Sequence, residues 1–160
     1  MHYLKLLKLL YLADRAALLK WGRPITTDRY VSMDHGPVLS VTLNLSNGGY
    51  AEFGKKWDER ISTRDGAEVE LKHPDAAFAA NELSQAEESL LGQIFDQYGH
   101  WNRWKVVHYL HTLPEWQDPN GSAIPISYRD ILVAGKKSPA EISIIEEELE
   151  SLTAVENILA

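Results

Sequence analysis

His108 and His111 stand three residues apart, and Glu115 follows four later, the nearest this chain comes to a set of metal ligands. Zinc sites take three or four protein ligands, so His35, His73 or His100 would have to complete such a site from loops. The plainer reading packs these histidines against Trp101, Trp104 and Trp116. The chain has no cysteine, which removes thiolate chemistry and disulfides. No serine lies in a Gly-x-Ser-x-Gly elbow, and no glycine-rich loop leads into Lys-Ser or Lys-Thr. Carboxylates sit side by side at Glu87-Glu88 and Glu146 to Glu148, on faces expected to be solvated. No motif requires an enzyme. A metal-dependent or hydrolytic enzyme using His108 and His111 is the alternative from another functional class.

Aromatic residues crowd the same region, with Tyr98, Trp101, Trp104, Tyr109 and Trp116 in one short stretch. Trp and Tyr bury large areas while keeping a polar handle, and they are also favoured at interface hot spots. The cluster therefore reads mainly as core, with Trp116 and its loop the part that could reach a partner. Asp14 and Arg15 lie near the end of an apolar helix, where charge-assisted bonds to the Tyr30–Gly36 segment would anchor it. A polar contact site of Arg15, Asp28 and Arg29 is the other reading.

These residues need elements to position them. Tyr3 to Lys20 is the longest apolar run, free of Gly and Pro and rich in helix formers. At 100° per residue Lys5, Lys8 and Arg15 share one narrow sector with Leu12 and Leu19, while other leucines cover most of the circumference. Such a helix must be wrapped by other elements, and Gly22 and Pro24 end it. Tyr30–Met33 reads as a short strand and Val38–Ser46 as a short helix, with its β-branched content leaving a strand open. Arg60–Thr63 and Glu68–Leu71 flank Arg64-Asp65-Gly66, which predicts a β-hairpin near residues 60–71. Ile61, Thr63, Val69 and Leu71 should face the core, and the Tyr30 strand should join the hairpin as its third member. His73 to Asn81 is a connection.

Ser84-x-x-Glu87 opens a helix to Tyr98 whose buried stripe should be Leu90, Leu91, Ile94, Phe95 and Tyr98. Asn102 caps a helix to about Thr112, and Glu115 to Pro125 is a loop rich in turn formers. Ser127-x-x-Asp130 starts a short helix to Ala134, closed by Gly135. Ser138-Pro139 opens the last helix, with Ile142, Ile145, Leu149, Leu152, Val155 and Leu159 along one seam. With 160 residues, no repeat and no long linker, residues 1–160 read as one domain. The net charge of −7 argues against nucleic-acid binding, which relies on lysines and arginines neutralising phosphates. The charges that break the first helix rule out a membrane span there, and no signal peptide is recognisable, so a soluble, cytoplasmic protein is expected.

Four blocks in order carry a family likeness: KLLKLLYLADR (Lys5 to Arg15), GRPITTDRYVSMDHGPVLS (Gly22 to Ser40), YGHW (Tyr98 to Trp101) and HTLPEWQDPNGSAIPI (His111 to Ile126). They resemble the antitoxin SocA-like Panacea domain family, which includes phage-associated GepA-type proteins, over Tyr3 to about Ala134. The resemblance implies a compact, mainly helical domain with a small antiparallel sheet, an α+β fold without catalysis or cofactor. It implies the neutralising half of a toxin–antitoxin pair, acting on a cognate toxin by direct binding. The alternative is a proteolytic adaptor, as SocA resembles, delivering a toxin to a Clp protease. Tyr30, His35, Pro37, His111 and Trp116 are the family-like positions least explained by core periodicity, and so the candidate toxin contacts. Family members usually carry a further helix before the Lys5 block. Were it lacking, part of the Leu4–Leu12 surface would stand open for a partner or a second copy.

Overall fold

The leucine-rich run folds as α1 (Tyr3–Trp21), ended by Gly22 in the left-handed region, where its amide bonds back to Leu18. The computed structural model describes residues 1–47, 51–64, 67–74 and 82–159. After α1 come β1 (Tyr30–Ser32), β2 (Val38–Leu39), α2 (Ser40–Ser46), α3 (Ala51–Arg60), β3 (Ile61–Arg64) and β4 (Glu68–Leu71). The second half holds α4 (Gln85–Tyr98), α5 (Arg103–Leu110), β5 (Ile124–Ile126), α6 (Tyr128–Ala134) and α7 (Pro139–Leu159). The fold is α+β and mainly helical, as expected.

α1 is the hub. It packs against α4, α5, α6, β2 and α2, and Leu7, Tyr11, Leu12, Ala17 and Leu18 are buried along it. Burying side chains of this size contributes about 1.5–3 kcal/mol each. No leucine from Leu4 to Leu12 is exposed: Leu4, Leu6 and Leu10 are half-buried and the others buried. Gly135 lets the end of α6 approach α1 closely, since a β-carbon there would lie 2.1 Å from Leu19 Cδ2.

The Tyr30 strand does not join the hairpin. It is the centre of a separate antiparallel sheet in the order β2-β1-β5, with Tyr30 opposite both Leu39 and Ile126. The hairpin pairs β3 with β4 as predicted, Ile61 opposite Leu71 and Thr63 opposite Val69. Residues Met1 to Tyr3 add a single antiparallel bridge at its edge, His2 opposite Glu68. The Val69 amide donates to the Met1 carbonyl at 2.8 Å, and the Tyr3 amide to the Ala67 carbonyl at 2.8 Å.

Other expectations need correction. Residues Val38-Leu39 are strand, and the helix begins only at Ser40. β5 overlaps the end of the segment read as loop, a strand hidden from local sequence because its partner is about ninety residues away. Val69 faces the core but Leu71 is exposed, as are Phe95 and Leu152 in their helices. Phe95 lies one residue beyond Ile94 on a helix whose buried side is narrower than its apolar pattern. Asp65-Gly66, Gly48-Gly49, most of the His73–Asn81 connection and the side chains of Thr63, Val155 and Leu159 lie outside the described residues.

Candidate functional site

Among the described residues five polar ones are buried: Lys8, Asp14, Asp28, Ser32 and Glu115. Each ties a loop to the body. Lys8 is wholly enclosed, and its Nζ donates to the carbonyls of Gly36 and Pro37, both at 2.8 Å. Burial disfavours the ammonium and brings its pKa down to about 7. The Asp14 carboxylate accepts from the Ile25 amide at 2.9 Å, the Thr26 amide at 3.0 Å and the Tyr30 hydroxyl at 3.0 Å, and also from the Thr26 hydroxyl. Burial raises its pKa, and those bonds pull the other way. Asp28 caps α2 from a distance, accepting from the amides of Val41 and Thr42 at 2.9 Å each. That explains a helix whose own N-cap, Leu39, has no side-chain acceptor. Asp14 thus reaches the expected segment only at Tyr30 and otherwise holds Ile25 and Thr26, whereas Arg15 reaches Glu115 and Asp28 serves α2.

Above these pins the Met33–Pro37 turn sits on the end of α5. Gly36 adopts φ +86°, and a β-carbon there would lie 3.3 Å from Leu110 Cβ. The turn sets His35 edge-on to Trp104, with ring centroids 5.4 Å apart. His111 stacks on Trp116 at 4.1 Å, and the Trp116 indole N–H donates to the Met33 carbonyl at 3.2 Å. The Arg103 guanidinium lies over Trp104, 5.2 Å from the ring centroid. His35 and His108 are exposed and Trp104 is 46% exposed, whereas His111 and Trp116 are half-buried. His111 Nε2 is buried and finds no hydrogen-bond partner among the described residues. Burial lowers the pKa of this imidazole; the Asp34 carbonyl opposes the shift, and Lys8, His108 and His35 add to it.

Of the five candidate contacts, this face gathers His35, His111 and Trp116. Tyr30 and Pro37 are buried in the fold, Tyr30 under Tyr11 and Tyr128, Pro37 over Lys8. They deviate from helical or strand periodicity because they lock a turn and a sheet. Trp104, which reads as core by its place in the aromatic run, is instead an exposed ring of the face. The His108, His111 and Glu115 trio is split, because Glu115 is turned inward onto Tyr11 and Arg15. Among the described residues no three His, Asp or Glu side chains are grouped to hold a metal.

The antitoxin SocA-like, Panacea domain family matches residues 6–117 of this chain. The chain belongs to that family. No curated protein and no solved structure matches it. In this Panacea domain the matched span contains all the buried polar pins and the whole aromatic–histidine face. β5, α6 and α7 lie beyond it. No described helix is long and apolar enough to cross a membrane.

Proposed function

We propose that the chain is a non-enzymatic antitoxin that neutralises a cognate protein toxin by direct binding, with the His35, Trp104, His111 and Trp116 face as its contact. Membership of the SocA-like family supports the antitoxin role. The observation that carries the contact is the exposed Trp104 ring held between His35 and Arg103. Trp and Arg are among the residues most favoured at interface hot spots; Arg103 and Trp104 open α5, and the turn pinned by Lys8 sets His35 against the Trp104 ring. A specific interface of ordinary size buries about 800 Å² per partner, which a domain of this size can provide.

Growth of cells expressing the product of the adjacent gene, with and without this protein, tests the role. Arrest relieved by co-expression and a stable complex in pull-down are expected. A harmless neighbour, or an arrest this protein leaves in place, would overturn the reading. Shortening of the toxin's half-life that depends on a Clp protease would replace occlusion by delivery.

A further inference from the structure

The chain carries a net charge of −7, yet between Tyr98 and Pro114 it has Arg103, Lys105 and three histidines and no carboxylate. This segment builds most of the aromatic–histidine face. At about 100° per residue Trp104, His108 and the C-cap His111 fall within a sector of about 60°, and Arg103 and Lys105 stand about 100° to either side of Trp104. Trp104, Lys105 and His108 are exposed, and Arg103 and His111 are half-buried. A stripe of indole and imidazole is thus flanked by one cation on each side.

Both cations stand at the unfavourable end of their helix. Arg103 and Lys105 are the first and third residues of α5, in the turn where the helix dipole favours carboxylates and opposes positive charge. There α4 has Glu87 and Glu88, α6 has Asp130 and α7 has Glu141, whereas the first turn of α5 has no acidic residue. Neither cation has an ion-pair partner among the described residues. Each lies over an indole instead, Arg103 over Trp104 at 5.2 Å and Lys105 over Trp101 at 4.1 Å from the ring centroid. The Arg103 guanidinium donates no hydrogen bond among the described residues, which leaves its fork of N–H groups for a carboxylate. The carboxylates that adjoin the face in sequence are turned elsewhere. Asp34 accepts from the Gly121 amide at 3.0 Å, and Glu115 accepts from Arg15 and Tyr11.

We propose that this face binds an acidic segment of the toxin, with Arg103 and Lys105 holding its carboxylates on either side of an apolar residue seated on Trp104. The sign of the partner's charge is read from the face; that the partner is the toxin rests on the antitoxin reading. Two flanking cations match two or three carboxylates. A nucleic acid needs a row of lysines and arginines, and it would meet the repulsion of a chain at −7. A second copy offering its glutamate-rich α7 would make a head-to-tail contact, which grows into open chains unless it closes as a ring.

The test uses the full chain and a fluorescent Glu/Leu peptide, beside the same peptide with Gln in place of every Glu. In fluorescence anisotropy at low ionic strength the Glu peptide should bind about tenfold more tightly, an advantage that high salt removes. Arg103→Glu and Lys105→Glu should each weaken it about tenfold while Tm holds or rises, since a carboxylate suits the first turn of α5. Lys20→Glu makes the same change of net charge in the last turn of α1 and should alter binding by less than about twofold. Equal binding of the two peptides, or equal losses in all three variants, would overturn the proposal. So would oligouridylate binding more tightly than the Glu peptide, which would make the face a nucleic-acid site. Self-association in sedimentation that Arg103→Glu abolishes would make a second copy the occupant. Peptide binding that persists where co-expression fails to relieve arrest would overturn only the toxin as the source. Relief of arrest with no preference for the Glu peptide would overturn the acidic contact and leave the antitoxin reading standing.

Discussion

Arg15 Nε donates to Glu115 Oε1 at 2.6 Å, joining the first helix to a residue one hundred positions later. The same carboxylate oxygen accepts from the Tyr11 hydroxyl at 3.0 Å, and the carboxylate is fully shielded from solvent. Breaking a buried pair by removing one partner costs about 3–5 kcal/mol, because the remaining charge stays buried without compensation. Glu115→Ala should therefore lower stability in urea unfolding by that order. A loss below about 1 kcal/mol would show the pair to behave like a surface ion pair.

Lys8 sets a pH dependence. Its folded pKa of about 7 lies below the unfolded value near 10.5, so between these the unfolded chain holds a proton that the folded one lacks. Stability should rise as pH increases through this window. Tyr11 and Tyr30 act oppositely, since burial raises both hydroxyls and the unfolded chain loses their protons first above about pH 10. Maximum stability is expected where the two ranges meet, near pH 10. Lys8→Met should flatten the slope from pH 7 to 10, and parallel slopes for variant and wild type would refute the assignment.

Gly36→Ala should destabilise by about 1–3 kcal/mol. Its φ of +86° is unfavourable for any residue with a β-carbon, and the added methyl would press on Leu110 Cβ at 3.3 Å. Gly92→Ala is the control, because a β-carbon there meets nothing within 4 Å. It sits inside α4, where alanine is the better helix former by about 1 kcal/mol, so Tm should rise. Thermal unfolding of the two variants should move in opposite directions.

His35→Ala and Trp104→Ala should each leave Tm within about 1–2 °C of wild type, because both side chains are largely outside the core. Their loss should weaken toxin binding by about 1–2 kcal/mol in calorimetry, the range of a contact residue near a hot spot. Trp116→Ala should cost both, since its indole also holds the Met33 carbonyl. Unchanged affinity in the His35 and Trp104 variants would move the contact elsewhere.

Local signals made the helices readable. Ser84 and Glu87, and Ser127 and Asp130, form reciprocal capping boxes, and Asn102 caps α5 through the Lys105 amide. Each works over three residues, so neighbouring sequence suffices. The sheet did not have that property. Tyr30 pairs with Ile126, and nothing near either residue announces the other. α3 was missed because Gly54 and a largely charged sequence weaken its helical pattern. Within the candidate face, the family resemblance pointed to His35, His111 and Trp116. The burial of Tyr30 and Pro37 depends on Asp14 and Lys8, whose inward orientation only the packed structure reveals. Lys8 looked like part of a polar sector, yet its ammonium is turned onto the Gly36 turn.

The order of α1 and the helices packed on it has a consequence for biosynthesis. The ribosome delivers this leucine-rich helix before α4, α5 and α6, which enclose it and arrive only with residues 85 to 134. At about 5–20 residues per second the helix waits on the order of ten seconds for its cover. During that interval its apolar surface is open to chaperones and to other nascent chains. The supply of active protein is thus governed by how the cell shelters one unfinished helix, as well as by how often the message is read.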